Sequence, residues 1–523
     1  MSASTLRERL IDATLLAPVL VFGLAPVLYL AVVAFAANPE PPAGPSWRLD
    51  ARTWGLLARS LAIASGASAG ALALGGAIAL PLARIRFRGR GALTGGLLAA
   101  FAVAPYWMAL GWLRGDLASQ TAQLWMGRPA AVAFILATAY APAVALLLLL
   151  AARSLPIGWE EAALLTAPLP TVVRRILLPP LLPFLAVVTL LVFSLCFADY
   201  EVASLLQVVT YPIEVFLLYA SVYAPGEAAR ACLPLLAVAI VTAAPLGALL
   251  SRGLVRQWPA SVSGSWPLTR GQRSALLALA LTLAAGFSLW PMLGLLSAAD
   301  ATPQTLDALR AGAPALANSL ATTAASVLIA IGLGVAASGA LVRARPATRA
   351  LLSMLLLVPV CLPAPAYAIA WVALAAAWPP ALRDGLASLP ALVPAFCIAA
   401  RWAGLVALLA AAARLALPRS ALDAARLQEG SAVRRFLRVE LPLVVPVLLA
   451  AAAILSALSQ GAIGILVLTV PAGFEVAPLR IDNLLHYGAR EQAVALAVAS
   501  AALAAGIPLA LAIAASRAGR RLV

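Results

Sequence analysis

The apolar residues of this chain fall in long runs, several of about twenty residues with almost no charge, and these runs confine what it can fold into. A helix of about 20 residues crosses roughly 30 Å of hydrocarbon, where every backbone N–H and C=O must find its partner inside the protein. With 63% hydrophobic residues and 11% charged ones, a soluble fold has too little polar surface to cover the remainder. Barrel strands would alternate apolar and polar residues over about ten positions, and no segment does so. The expected fold is an all-α membrane protein. Windows of about 19 residues place spans near 13–37, 56–83, 92–113, 129–152, 181–206 and 229–251. The second half repeats the pattern near 274–298, 316–342, 350–376, 389–413, 443–469 and 491–516, for a total of about twelve transmembrane helices. Arg7 and Arg9 precede the first run, and Ala34-Phe35-Ala36 imitates a cleavage site. That run holds about 24 residues, longer than the 7–15 of a secretory leader, so it is read as a retained helix.

The formal net charge is +16 and the basic side chains are arginines, with no lysine and one histidine. Such a balance elsewhere points to nucleic acid, but here its position answers differently. Arg84, Arg86, Arg88 and Arg90 follow the second span, Arg343, Arg345 and Arg349 the eighth, and Arg517, Arg520 and Arg521 the last. The alternate loops mix signs, with Glu40, Asp50, Asp300, Asp307, Asp384, Glu475 and Asp482 among scattered arginines. By the positive-inside rule both termini and the arginine-rich loops are cytoplasmic, and no nucleic-acid partner is needed.

Cys196, Cys232, Cys361 and Cys397 lie in or beside spans with no CxxC pair, which reads as small buried residues. One histidine, His486, cannot build a metal site. Neither a metal site nor a convergent catalytic set is expected.

Leu57-Ala58-Arg59-Ser60-Leu61-Ala62 matches Leu316-Ala317-Asn318-Ser319-Leu320-Ala321, and at the same offset Arg84 and Arg86 align with Arg343 and Arg345, and Trp112 with Trp371. The halves are therefore copies. An even number of crossings returns each copy to its starting side, so the repeats are parallel. The first repeat is placed at 1–255, a cytoplasmic linker at 256–272 and the second repeat at 273–523.

A second paired feature lies between the fourth and fifth spans of each copy, over about 154–180 and 417–442. The first reads Glu160-Glu161-Ala162-Ala163-Leu164-Leu165-Thr166-Ala167-Pro168, then Arg174-Arg175-Ile176-Leu177-Leu178-Pro179. The second reads Asp423-Ala424-Ala425-Arg426-Leu427-Gln428-Glu429-Gly430-Ser431, then Arg434-Arg435-Phe436-Leu437-Arg438-Val439-Glu440-Leu441-Pro442. Both describe a short helix outside the membrane with an acid at its start, where the helix dipole favours negative charge, and alanines that let another surface approach. An ordinary connecting loop would not demand the same spacing twice.

These segments resemble the EAA loop of the permeases of ATP-binding cassette importers: Glu-Ala-Ala, three residues, Gly, nine residues, Ile, one residue, Leu-Pro. The first copy matches at Glu160, Ala162, Ile176, Leu178 and Pro179, with Glu161 for an alanine and Thr166 for the glycine. The second matches at Ala424, Ala425, Leu441 and Pro442, with Asp423 for Glu, Val439 for Ile and the glycine displaced to Gly430. The resemblance covers both halves. It implies that Glu160, Glu161, Ala162, Ala163 and Asp423, Ala424, Ala425, Glu429, Gly430 belong to coupling helices that dock on two copies of a nucleotide-binding ATPase subunit. It also implies a periplasmic solute-binding protein as partner and a place in the bacterial inner membrane. The chain has no phosphate-binding G-x-x-x-x-G-K-[ST] loop, so it is expected to be no enzyme itself and to bind no cofactor, with ATP on the partner.

Within that family, the fusion of two halves, the proline-rich third helix (Ala104-Pro105-Tyr106-Trp107 and Pro363-Ala364-Pro365-Ala366-Tyr367) and the segment from Leu479-Arg480-Ile481 to His486-Tyr487-Gly488 look most like ferric-iron importers. Thiamine and aminoethylphosphonate permeases share that architecture. Candidate solute-pathway residues are Asp199, Tyr200 and Glu201 near the outer end of the fifth span, because carboxylates at membrane depth are costly and oxygen ligands suit a hard cation. Residues two apart on a helix do not share a face, so Asp199 and Glu201 can line one pore only where the helix unwinds. Ser60, Ser319 and Gln460 are further candidates, although with Asn318 they serve equally as interhelical hydrogen-bonding groups. Arg401 in the tenth span is read as structural. The rival class is an ion-coupled secondary transporter of two parallel halves, which would leave the paired EAA segments unexplained.

Overall fold

The computed structural model describes residues 3–36, 50–113, 119–222, 225–253, 266, 268–298, 303–428, 432–487 and 490–521. Among these the regular structure is entirely helical. Ten helices are long and apolar enough to cross a membrane, and two bent helix pairs raise the number to twelve if each pair counts as one span. The chain is a multi-pass membrane protein.

The two bent pairs correct the expected third and ninth spans, which are not continuous. Arg90–Ala102 meets Pro105–Trp112 at 99°, and Pro346–Cys361 meets Ala364–Ala376 at 100°. The cause is local. Proline has no N–H to give the preceding turn and pushes the residue before it out of helical conformation, and Ala104 before Pro105 has ψ 148°. In the second half Pro363 itself sits at ψ 141°, ahead of Pro365.

The fifth and eleventh spans end earlier than expected. Leu178–Phe197 stops at a turn before a short helix, Glu201–Leu205, and Leu441–Gln460 stops at Gly461 before Ile463–Thr469. Each of these two spans is also preceded by one π turn, Val173–Leu177 and Phe436–Glu440. Both π turns run into a Leu-Pro step, Leu178-Pro179 and Leu441-Pro442, whose missing N–H loosens the regular ladder there.

Packing crosses between the halves. Helix Ala3–Ala36 lies against Pro303–Arg343 and Ala364–Ala376, and reciprocally the Arg270–Ser297 helix lies against Ala51–Arg84 and Pro105–Trp112. Pro225–Gly253 packs on Pro346–Cys361, and Arg490–Arg521 on Arg90–Ala102. The first helix of each half thus completes the other half's bundle.

Lipid tails are as apolar as leucine, so close contact rather than hydrophobic gain holds such helices together. Ala51–Arg84 meets Pro129–Arg153 at Gly75, where an added Cβ would lie 2.6 Å from the Cβ of Val144 and 2.8 Å from the Ala141 carbonyl. Pro303–Arg343 meets Leu392–Leu415 the same way at Gly334, against Val406 and the Ala407 amide. Gly75→Leu is expected to force these helices apart at a cost of about 1–3 kcal/mol. A fall in the melting temperature of the purified protein, larger than for Gly55→Leu where the added Cβ meets nothing within 4 Å, checks it.

Candidate functional site

The helix breaks converge. A cavity of about 70 Å³ is lined by Val103, Ala104 and Pro105 at one bend, Ala364 beside the other, Gly461 and Ala462 at the end of the eleventh span, and Tyr140, Asp199, Glu201, Arg401 and Trp402. Both halves contribute to it. The chain unwinds between Phe197 and Glu201, and this lets Asp199 and Glu201 line one cavity although they are two residues apart. Asp199 Oδ1 accepts a hydrogen bond from the Val202 amide at 3.0 Å. Glu201 accepts from the Tyr200 amide at 3.1 Å and, across the halves, from the Gly464 amide at 3.1 Å. Tyr200 turns aside and packs on Phe216, with ring centroids 4.9 Å apart.

Arg401 is 4% exposed and combines two tasks. Its guanidinium donates to the carbonyls of Pro359 (3.3 Å), Val360 (3.4 Å) and Leu362 (2.9 Å) at the C-terminal end of Pro346–Cys361, where the break leaves carbonyls without intrahelical partners. It also stands over the Trp402 ring at 5.1 Å and faces the same cavity as the two carboxylates. A cation there satisfies the broken helix and interacts electrostatically with Glu201.

Ser60 and Ser319 lie apart from this cavity and do the same job at matched places. Ser60 Oγ accepts from the Tyr211 amide at 2.9 Å, the first residue of Tyr211–Val222. Ser319 Oγ accepts from the Ala477 amide at 2.8 Å, the first residue of Ala477–Tyr487. Their neighbours also match: Arg59 donates to the Val209 carbonyl at 3.3 Å, and Asn318 to the Glu475 carbonyl at 2.8 Å. The repeated Leu-Ala-x-Ser-Leu-Ala motif is thereby accounted for as a tie between a span and the loop that returns to it. Gln460 is buried and lines a separate cavity of about 20 Å³ with Trp107, Ser319, Thr322 and Ser500. Its Nε2, the Trp107 Nε1, the Thr322 Oγ1 and the Ser500 Oγ have no partner among the described residues, and that volume suits one water-sized polar group.

The EAA-like segments form short helices apart from the spans, Ile157–Leu164 and Arg419–Gln428. Glu160 does fall in the first turn, but it points inward. It is 2% exposed and ion-paired with Arg84, also 2% exposed, with Arg84 Nε at 2.9 Å. Trp266, from beyond the first half, donates its indole N–H to Glu160 at 2.6 Å and its backbone N–H to the Arg84 carbonyl at 3.1 Å. Arg84 also donates to the Ala152 carbonyl at 2.7 Å. The sequence does not announce this clamp: Arg84 enters there as a marker of topology and of the alignment between the halves. The signal available was the alignment of Arg84 with Arg343.

The second segment differs. Its helix begins at Arg419, which moves Asp423 into the second turn and away from the dipole's positive end, contrary to the expected acid at the helix start. Asp423 and Ala424 are exposed and Ala425 is buried; Glu429 and Gly430 lie outside the described residues. Here the loop is tied by Arg414, which contacts Glu440 at 2.8 Å and Ser338 at 3.0 Å. What the two helices present outward is similar: Trp159, Glu161, Ala162 and Leu165 on one, Asp423, Ala424 and Leu427 on the other. Leu165 is 85% and Leu427 90% exposed.

The four cysteines are buried and unpaired with one another. No group of three or more metal-ligating side chains occurs among the described residues. His486 sits exposed in Ala477–Tyr487, its Nδ1 2.8 Å from the Asp482 carbonyl. Comparison of the chain with protein-family models, curated proteins and solved structures gives no match.

Proposed function

We propose that this chain is the permease of an ATP-binding cassette importer, two parallel repeats of about six helices fused in one polypeptide, embedded in a bacterial inner membrane with both termini cytoplasmic. The observation that carries the reading is the pair of short helices at matching places in the two halves. Each holds an outward leucine, and each is followed by a π turn and a Leu-Pro step at the start of the next span. Leucines 85% and 90% exposed outside a membrane span have no use to the isolated chain and suit a groove on a soluble partner. The matched ties at Ser60 and Ser319 and the reciprocal packing of the first helices support the repeat.

Two ATPase subunits would dock on these helices, and their closure on ATP would draw the helices together and open the bundle to a solute delivered by a periplasmic binding protein. The chain itself performs no catalysis. The central cavity, with Asp199, Glu201 and Arg401 and a volume of about 70 Å³, favours a small charged solute. Iron(III) in passage is the leading assignment, since carboxylate oxygens suit a hard cation; thiamine or aminoethylphosphonate requires a wider opening of the same cavity. Two carboxylates are too few to retain a metal, which fits a transit site rather than a resident one.

Leu165→Asp combined with Leu427→Asp is expected to abolish retention of the ATPase when the permease is purified from its own membrane, while the amount inserted stays unchanged because both side chains are exposed. If no ATPase accompanies the wild type and uptake instead collapses with the proton gradient, the importer reading fails and an ion-coupled transporter replaces it.

A further inference from the structure

Away from the central cavity lies a groove of about 380 Å³ between the loop after the second span, helix Arg90–Ala102 and the Arg270–Ser297 helix. Its walls are Phe87, Leu93, Gly96 and Leu97 on one side and Leu281, Ala284 and Leu289 on the other. Leu281 is 44% and Leu289 37% exposed, so the groove opens sideways where the hydrocarbon of the bilayer would lie. A volume of this size is in the range of a ligand site. It is not filled by the protein's own side chains.

Its mouth is cationic. Arg88 and Gly89 line it, Arg88 is exposed, and Arg90 lies within the electrostatic reach of Arg153, Arg86 and Arg84. Gly89 at φ +92° begins Arg90–Ala102 without any side-chain cap, so the start of a 13-residue helix, which favours an anion, lies beside the same mouth.

The floor supplies an independent sign of a ligand. Ser288 is fully buried, lines the groove, and its hydroxyl has no hydrogen-bond partner among the described residues. It is carried by the π turn Ala285–Leu289, which runs into Trp290-Pro291 as the other two π turns run into their Leu-Pro steps. An unsatisfied hydroxyl in an otherwise apolar groove is unfavourable unless something polar reaches it.

We propose that this groove binds one anionic phospholipid. The acyl chains lie along Leu97, Leu281 and Leu289, an ester oxygen accepts from Ser288, and the phosphate meets Arg88 and the amides at Gly89–Gly91. The apolar walls distinguish a lipid from a free phosphate, and the basic mouth distinguishes an anionic headgroup from a zwitterionic one. Both conditions hold at one place.

The test uses the full chain in nanodiscs that contain equal amounts of phosphatidylglycerol and phosphatidylcholine with the same acyl chains, and native mass spectrometry counts the lipid that stays bound. The wild type is expected to retain one phosphatidylglycerol in preference to phosphatidylcholine. Arg88→Gln, an exposed position, lowers that preference about fivefold, the worth of one arginine near an anionic headgroup. Gly96→Leu fills the groove, where a Cβ at Gly96 meets nothing within 4 Å, and removes bound lipid of either headgroup. Millimolar glycerol phosphate, which has no acyl chains, leaves the bound lipid in place. Equal retention of both lipids by the wild type, indifference to both substitutions, or full displacement by glycerol phosphate each overturns the proposal.

Discussion

Arg84→Ala is expected to be the most damaging single change at the first short helix. The arginine and Glu160 are each 2% exposed, so removal of one partner leaves a carboxylate buried without its cation, at a cost of about 3–5 kcal/mol. Surface ion pairs set the contrast: Arg310 and Asp307 are 80% and 75% exposed, and Arg310→Ala should change stability by less than about 1 kcal/mol. The Arg84 change also releases Trp266 and the Ala152 carbonyl, both held by the same pair. The result expected is a lower melting temperature together with faster labelling of a cysteine placed at Gly158, an exposed position on that helix. Glu160→Gln keeps an acceptor for the Trp266 indole and should fall between wild type and Arg84→Ala. Equal stability of Arg84→Ala and wild type would mean that the clamp does not hold the helix.

The second large effect is expected at Arg401. Arg401→Met leaves the carbonyls of Pro359, Val360 and Leu362 without their donor and leaves Glu201 without its nearby cation. The combined loss is expected at about 3 kcal/mol or more, and on the importer reading uptake is abolished. Asp199→Asn separates stability from transport. An asparagine oxygen can still accept from the Val202 amide, so stability should shift by less than about 1 kcal/mol. The carboxyl group facing the cavity is lost, and on the importer reading a lost contact to a charged solute worth about 1.5–3 kcal/mol corresponds to uptake at least about tenfold slower. Uptake measured in proteoliposomes or whole cells, beside melting temperature, distinguishes the two variants. If Asp199→Asn transports at the wild-type rate, the cavity is not on the solute's path.

Much of the architecture was legible because the bilayer imposes a length and a polarity on every span. The runs at 129–152 and 389–413 correspond closely to Pro129–Arg153 and Leu392–Leu415. The boundary errors have a common origin. Hydropathy integrates over about 19 residues and passes through a break whose flanks are both apolar, so 181–206 and 443–469 absorbed the turns after Phe197 and Gln460. The bends at Ala104 and Pro363 were signalled by their prolines, but proline marks a discontinuity without giving its angle.

The central cavity was legible only in part. Asp199 and Glu201 stand out as carboxylates in an apolar setting, and the need for an unwound helix between them follows from helical geometry. Arg401 reads as structural, and it does cap a helix; that it shares a cavity with the acids depends on contacts across about two hundred residues of chain. Glu160 was the least transparent. Its place in a repeated motif pointed outward to a partner, whereas Arg84 and Trp266 draw it inward, and the outward face falls to residues such as Leu165 and Leu427 that no motif names.

The multi-pass helical class and the placement of most spans follow from local order, since hydrophobic length and arginine position are properties of neighbouring residues. The bends at 99° and 100°, the exchange of first helices between halves, the Arg84–Glu160–Trp266 clamp and the meeting of Arg401 with Asp199 and Glu201 were decided by tertiary packing. The last two rest on buried polar groups, which in a medium without water take whichever partner the packed bundle brings within reach.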